Sequence, residues 1–481
     1  MIASLAAPAE SESRPPPKRM RAIALLAASA MFMESLDGTI VAIALPAMAG
    51  HFRVDAADMH VGITSYLIAL AVLLPLSNWA AEQWGPRRVF VTAVGLFTLA
   101  SIACAASQTL LAFAIARLFQ GSAAAMMTPV GRLVVLRHTE KSGLINAVAL
   151  LTWPALLAPA VAPPLGGLIV EHLSWQWIFF LNLPLGFFGI IAALRVLPPR
   201  WPSSGQSRPD WTGLVLWAIT AAMLIGGIES AKRTSPPVIV IALSAGLVAA
   251  LLCWRHFHAW PRPLLDIKLI GRHRSFGAAV REGTVFRASI LATPFLLPLY
   301  FHVGLGKSIS ETGLLIMIGM AGNIGIKAVT SPILRRVGFQ RILVGNGLLL
   351  GAGFAAFMLT GPDTPFVVLA AMLLFNGLSR SMQFTTLNTL AFADVAPDEM
   401  PHANTLLSTT LQISGAIGVA VGALALQIGS RFHGEETPAA FHLCFAAIAV
   451  MSFAAAISCM RLDTTIGSGL ILRRTGNMRN D

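Results

Sequence analysis

The chain is 481 residues long, 56% apolar and only 12% charged, with a formal net charge of +12. A soluble protein carries about 25% charged residues, so this composition excludes a water-soluble enzyme or a nucleic-acid binder. A mean hydropathy of +0.72 excludes a disordered chain. The 34 Lys and Arg lie mostly between apolar runs, where they read as membrane-topology signals, and the first partner of the chain is the lipid bilayer. Cys104, Cys253, Cys444 and Cys459 sit inside apolar stretches without metal-type spacing and read as small buried hydrophobes.

Residues 1–21 form a polar tail ending in Lys18-Arg19-Met20-Arg21. The following Ala28-Ser29-Ala30 has the look of a secretory cleavage site, but the apolar run continues past it and holds Glu34 and Asp37, so it reads as a retained span. A crossing helix needs about 20 apolar residues. Such runs fall near 22–48, 60–81, 89–108, 110–135, 143–170, 177–197, 211–230 and 237–256, then 276–303, 312–334, 341–361, 365–391, 404–429 and 441–462, which makes fourteen. With both termini on the cytoplasmic side, the outer loops hold only Arg53, Lys232, Arg233, Lys307 and Arg431, and the inner segments hold most of the basic residues. That asymmetry sets the orientation.

A short segment repeats. Gly85-Pro86-Arg87-Arg88 after the second run aligns with Gly338-Phe339-Gln340-Arg341 after the tenth. If these mark two six-helix halves, the seventh and eighth runs are an insertion. The expected fold is then an all-α polytopic membrane protein with fourteen transmembrane helices. Its parts are a tail over 1–21, a six-helix bundle over 22–200, a linker with two additional helices over 201–274, a second bundle over 275–463 and a basic tail over 464–481. Parallel repeats with a substrate site between them are typical of secondary transporters.

An ionised side chain at the bilayer centre costs roughly 2.5–3.5 kcal/mol, so each one is a functional candidate. Glu34 and Asp37, three apart, share a helix face. Two carboxylates close together in a poorly hydrated cavity repel, which favours reversible protonation of one of them. Arg117 is the natural counter-ion of Asp37, and Gln120, one turn further along the same run, is a candidate for the substrate cavity. In the second half, Arg287, Lys327 and Arg380 fall inside runs. Asn388 and Gln412, with Asn323, Asn376, Gln383 and Asn404, could hydrogen-bond a substrate, although packing contacts are the commoner fate of each. If the ninth and twelfth runs answer the first and fourth, then Asp37, Arg117, Arg287 and Arg380 occupy the four helices that line the cavity. These charges make the cavity basic, so neutral, zwitterionic or anionic amphiphiles are expected ahead of dications. Met126, Met127, Met317, Met320 and Phe375 are candidates for an adaptable apolar lining, and Trp175 and Trp177 for interfacial anchors.

Four motifs carry a family resemblance. Leu36-Asp37-Gly38-Thr39-Ile40-Val41 through Pro46 resembles the first-helix signature of the fourteen-helix drug:proton antiporters of the major facilitator superfamily, the EmrB/QacA type. Arg117-Leu118-Phe119-Gln120-Gly121 is similar to its fourth-helix motif, Ala158-Pro159 through Pro163-Pro164-Leu165-Gly166-Gly167 to its antiporter motif, and Trp175 through Asn182-Leu183-Pro184 to its junction into helix 6. The Met126-to-Leu133 run lies nearest the MdtD-like branch. The resemblance implies proton-coupled efflux of small amphipathic compounds by alternating access, with protons and a small molecule as partners and no cofactor. It assigns Arg117 to proton relay. A periplasmic adaptor and an outer-membrane channel are further candidate partners.

The loop after the second run departs from the family pattern. Asn78 replaces a Gly, Glu82 an Asp, Gln83 an Arg and Pro86 a later Arg, while Gly85 and a basic residue at Arg87 remain, so the conformational latch that this loop resembles is altered. In the antiporter motif Ala162 replaces a Gly before Pro163, where close helix contact is expected. A membrane enzyme would need a nucleophile or metal cluster at one face; the eleven His are scattered and no loop is long enough for a catalytic domain, so no catalytic residues and no metal site are expected. Exporters of an endogenous metabolite, and facilitators without proton coupling, are the remaining alternatives.

Overall fold

The computed structural model describes residues 17–54, 58–139, 143–199, 209–229, 236–433 and 437–470. The far ends of both tails and the loop with Lys232 and Arg233 lie outside the described residues, as does the side chain of Pro163. Every one of the fourteen expected runs is helical where described. The helices are α1 (Pro17–Phe52), α2 (His60–Leu73, carried on to Ser77–Trp84), α3 (Pro86–Ala106), α4 (Leu110–His138), α5 (Leu144–His172), α6 (Trp177–Phe180 and Asn182–Val196), α7 (Trp211–Glu229) and α8 (Pro236–Ala259). The second half holds α9 (Arg274–Leu299), α10 (Ile309–Gly325 and Lys327–Val337), α11 (Phe339–Ala356), α12 (Phe366–Leu390), α13 (Met400–His433) and α14 (Pro438–Cys459). Among the described residues, ten helices are long and apolar enough to cross a membrane, or eleven if the two bent parts of α10 are one span.

The halves repeat one packing pattern. In the first, α1 lies along α5, α2 along α4, and α3 against α4 and α6; in the second, α9 lies along α13, α10 along α12, and α11 against α12 and α14. Contacts between the halves obey the same correspondence, with α2 on α13 matched by α10 on α5, and α4 on α13 matched by α12 on α5. Among the described residues, two bundles related in this way account for all the long helices except α7 and α8.

Backbone geometry repeats as well. Gly85 (φ 82°) closes α2 and opens α3, and Gly338 (φ 89°) closes α10 and opens α11, with ψ near 146° and 160°. That conformation is essentially open to glycine alone. A side chain at Gly121 would collide with the Tyr66 carbonyl on α2, and one at Gly377 with the Gly319 carbonyl on α10. Each glycine sits at the twelfth position of its helix (α4 or α12) and lets two backbones approach closely.

α10 is the departure from a straight run, bending by 47° at Ile326. Gly325 adjoins the break and Pro332 lies beyond it, both residues that weaken the helical ladder. α7 packs on α2 and α8 on α7. The Trp217 indole donates to the Ala71 carbonyl at 2.8 Å. Buried Asp210 accepts from the Gly213 amide at 2.8 Å, the Leu264 amide at 3.2 Å and His256 Nε2 at 2.8 Å, tying the start of α7 to the end of α8 and the chain beyond it. His256 is thus engaged by a carboxylate, and no metal-type cluster occurs among the described residues. Further on, Arg272 and His273 both reach Glu399, and Asp394 accepts from the Ser275 amide at the head of α9.

Candidate functional site

The first bundle encloses a continuous polar network. Asp37, 1% exposed on α1, receives Arg117 Nη1 at 2.5 Å, Gln120 Nε2 at 2.9 Å and Asn182 Nδ2 at 3.0 Å. Arg117 also donates to Gln120 Oε1 at 2.6 Å and to the Gly62 carbonyl at 3.2 Å, and lies 4.3 Å from the centre of the Tyr66 ring. Ser101 accepts from Gln120 at 2.8 Å and from Asn182 at 3.1 Å. One carboxylate therefore gathers groups from α1, α2, α3, α4 and α6. A buried ion pair is tolerated when further hydrogen bonds satisfy its remaining atoms, and here both Asp37 oxygens are met.

The pairing of Asp37 with Arg117 follows the sequence reading. Gln120, a candidate for the substrate cavity, is fully buried and engaged inside the network. Ser101, Asn182 and Tyr66 join the site without having been singled out, because a lone serine or tyrosine in an apolar helix carries no pattern of its own. Asn182 lay within the quoted helix-6 motif, which was the available signal. Glu34 stays outside the ion pair. It is half-buried, and its Oε2 has no hydrogen-bond partner.

The second bundle places its candidates differently. Arg287, fully buried, donates to the Ala279 carbonyl at 2.9 Å and to Asn388 Oδ1 at 3.3 Å, and its Nε is without a partner. Lys327 sits just past the α10 bend and donates to Thr385 at 2.5 Å. Arg380 is half-buried with an unpartnered Nε, and Gln412 is half-buried. Asn346 donates to Gln383, which in turn donates to the Leu343 carbonyl. None of these cations meets a carboxylate among the described residues. Met317 and Phe375 are exposed, whereas Met127 is fully buried. Trp177 is exposed, but Trp175 is buried against His51, Phe52 and Phe179, so the sequence reading of it as an interfacial anchor is corrected: ring packing claims it.

Among the motif residues, Arg87 donates to the Leu197 carbonyl at 2.7 Å, and Glu82 accepts from Asn78 at 3.2 Å. A side chain at Gly166 would meet Ile40 of α1 at 2.9 Å, whereas the space beside Gly167 is open. Of the two glycines, Gly166 is the one the α1–α5 contact requires.

Two equivalent helical bundles, with ionisable groups held among apolar spans, define a multi-pass membrane transport protein and not an enzyme. The chain belongs to the Major Facilitator Superfamily, whose family model matches residues 27–419. Relatives that carry the multidrug-resistance name MdtD include one from Pectobacterium atrosepticum, 36% identical over 422 residues, covering 87% of this chain and 90% of that protein. Another, from Klebsiella pneumoniae, is 34% identical over 456 residues and covers 93% of this chain and 96% of its own. Among solved structures, the human organic anion transporter MFSD10 (TETRAN) superposes with a TM-score of 0.65 at 14% identity, covering 92% of this chain and all of that one. The proton:xylose symporter XylE gives a TM-score of 0.65 at 12% identity, covering 94% and 97%. At these identities the two structures speak for the fold.

Proposed function

We propose that this protein exports small amphipathic, drug-like compounds across the cytoplasmic membrane in exchange for protons, by alternating access of a cavity between the two bundles. The observation that carries the reading is the Asp37 network, a carboxylate of α1 buried among apolar spans and bonded to α4 and α6. Protonating Asp37 removes its charge from Arg117, which keeps the Gly62 carbonyl, Gln120 and the Tyr66 face. α1 is thereby loosened from α4 while α4 stays joined to α2. Glu34, one turn earlier on α1, has an oxygen that can take a proton without giving up an existing hydrogen bond. The multidrug-resistance name of the relatives supports the cargo class. The basic bias of the loops supports fourteen crossings with both termini in the cytoplasm.

The test is transport in proteoliposomes under an imposed pH gradient. Asp37→Asn keeps the shape but cannot cycle a proton, and it is expected to bind cargo yet fail to accumulate it. Glu34→Gln is expected to be milder; an equal loss would mark a pair that titrates as one unit. Normal accumulation in Asp37→Asn removes Asp37 from the mechanism.

A further inference from the structure

Two arginines from opposite bundles converge on the end of α12 and the turn that follows it. Arg287 of α9 bonds Asn388 in the last turn of α12 at 3.3 Å, and Arg132 of α4 lies 5.3 Å from the centre of the Phe392 ring, two residues past the end of that helix. Both are buried, at 0% and 7% exposed, and among the described residues neither has a carboxylate within ion-pair reach. The bundles join at the same place, where Asn404 of α13 donates to the Pro129 carbonyl at 3.1 Å, three residues before Arg132.

The Arg287 side is built rather than incidental. The guanidinium folds back along α9 onto the Ala279 carbonyl, over Gly283, where a Cβ would stand 2.6 Å from Nη1. That slot leaves Nε, fully buried, without a partner. The Asn404 Oδ1 and the hydroxyls of Thr389 and Thr405, next to Asn388 and Asn404 in the chain, are also buried and unpartnered. Uncompensated buried cations are strongly unfavourable in a membrane interior. A planar donor fork with a free N–H matches a carboxylate or phosphate group.

We propose that Arg132 and Arg287 form a binding site for an oxyanion, the carboxylate or phosphate group of an amphiphile, that bridges the two bundles. The site assembles only when α4 meets α12 and α13, so a bound anion favours the conformation closed at that end. The inference rests on the transporter reading for its cargo but is independent of proton coupling.

The test uses purified protein in neutral detergent and three ten-carbon probes that differ in head group: decanoate, decanol and decyltrimethylammonium. Decanoate is expected to raise the thermal unfolding midpoint more than the other two. Its apparent affinity should fall tenfold or more in Arg132→Gln and in Arg287→Gln, and partly recover in Arg287→Lys. Gly283→Ala, which keeps both charges but fills the slot, should weaken it as well. If phosphatidylglycerol reproduces the shift in the unmodified protein but not in Arg287→Gln, the oxyanion comes from a lipid head group; if it has no effect, the source is the soluble amphiphile. Equal responses to all three probes, or a decanoate response that survives both glutamine variants, overturns the site. No gradient is applied, so failure of proton coupling leaves this assay untouched. Lost decanoate binding alongside intact coupled transport of a neutral cargo would leave the antiport reading standing.

Discussion

The two bundles share a packing scheme and differ in how they treat charge. In the first, Asp37 and Arg117 are paired, and Gln120, Asn182 and Ser101 complete their hydrogen bonds. In the second, Arg287 and Arg380 are buried or half-buried with nitrogen atoms that nothing meets. A satisfied network holds helices in one arrangement, whereas an unsatisfied cation is relieved only by something from outside the bundle. The duplication thus supplies one scaffold, with a self-contained charge centre on one side and an open one on the other.

Like substitutions in the two bundles should have unlike effects. Arg117→Gln strands Asp37 in the interior and should destabilise the detergent-solubilised protein by about 3–5 kcal/mol, read as a fall in the thermal midpoint, with transport lost. The shared scaffold is probed next. Gly85→Ala and Gly338→Ala force a side chain into a backbone region closed to it, and each should cost about 1–3 kcal/mol; clearly unequal losses would argue against equivalent roles. Arg287→Met should have the opposite sign to Arg117→Gln, leaving the midpoint unchanged or raising it by the equivalent of about 1–2 kcal/mol as an unmet donor disappears. A large fall in that variant would show that the hydrogen bonds to Ala279 and Asn388 outweigh the unmet Nε.

The smallest expected effect is a pH dependence at the membrane surface. Burial acts to raise the pKa of Glu399, but the hydrogen bonds from Arg272 and His273 outweigh it and hold the carboxyl below its ordinary 4.5. The sign follows from that depression: the stabilisation is complete above 4.5 and is lost as the pH falls through the lower folded-state value. Thermal midpoints taken from pH 6 down to pH 3 should therefore drop less steeply in Glu399→Gln. Parallel curves would remove the contact from the acid response.

Much of the architecture was legible because hydropathy reports span length directly, and each expected run is a helix. The Asp37–Arg117 pair was legible too, since two opposite charges in apolar runs have few other places to go. Asn182 and Ser101 were harder to see, because a small polar residue in a membrane helix looks the same in sequence whether it packs or bonds a distant helix. Likewise Gln120 read as a cavity residue, when its amide is engaged by Arg117, Asp37 and Ser101. Arg132 lay within the Met126-to-Leu133 run and was given no role of its own; its place over Phe392 depends on how two bundles meet, which no local pattern encodes. The α10 bend escaped for a related reason, since a run of apolar residues does not say whether its axis is straight.

The chain between α8 and α9 is fastened at both ends. Asp210 grips the Leu264 amide on the side carried by α7 and α2, and Glu399 grips Arg272 and His273 on the side of α12 and α13. Only residues 265–271 run between those clasps. A stretch of seven residues reaches at most about 25 Å when drawn out, so it acts as a leash that caps how far the two bundles can swing apart at that end. In the alternating access proposed above, loosening either clasp would lengthen the leash without touching the charges in either bundle, and so would alter the throw of the motion while leaving its proposed trigger in place.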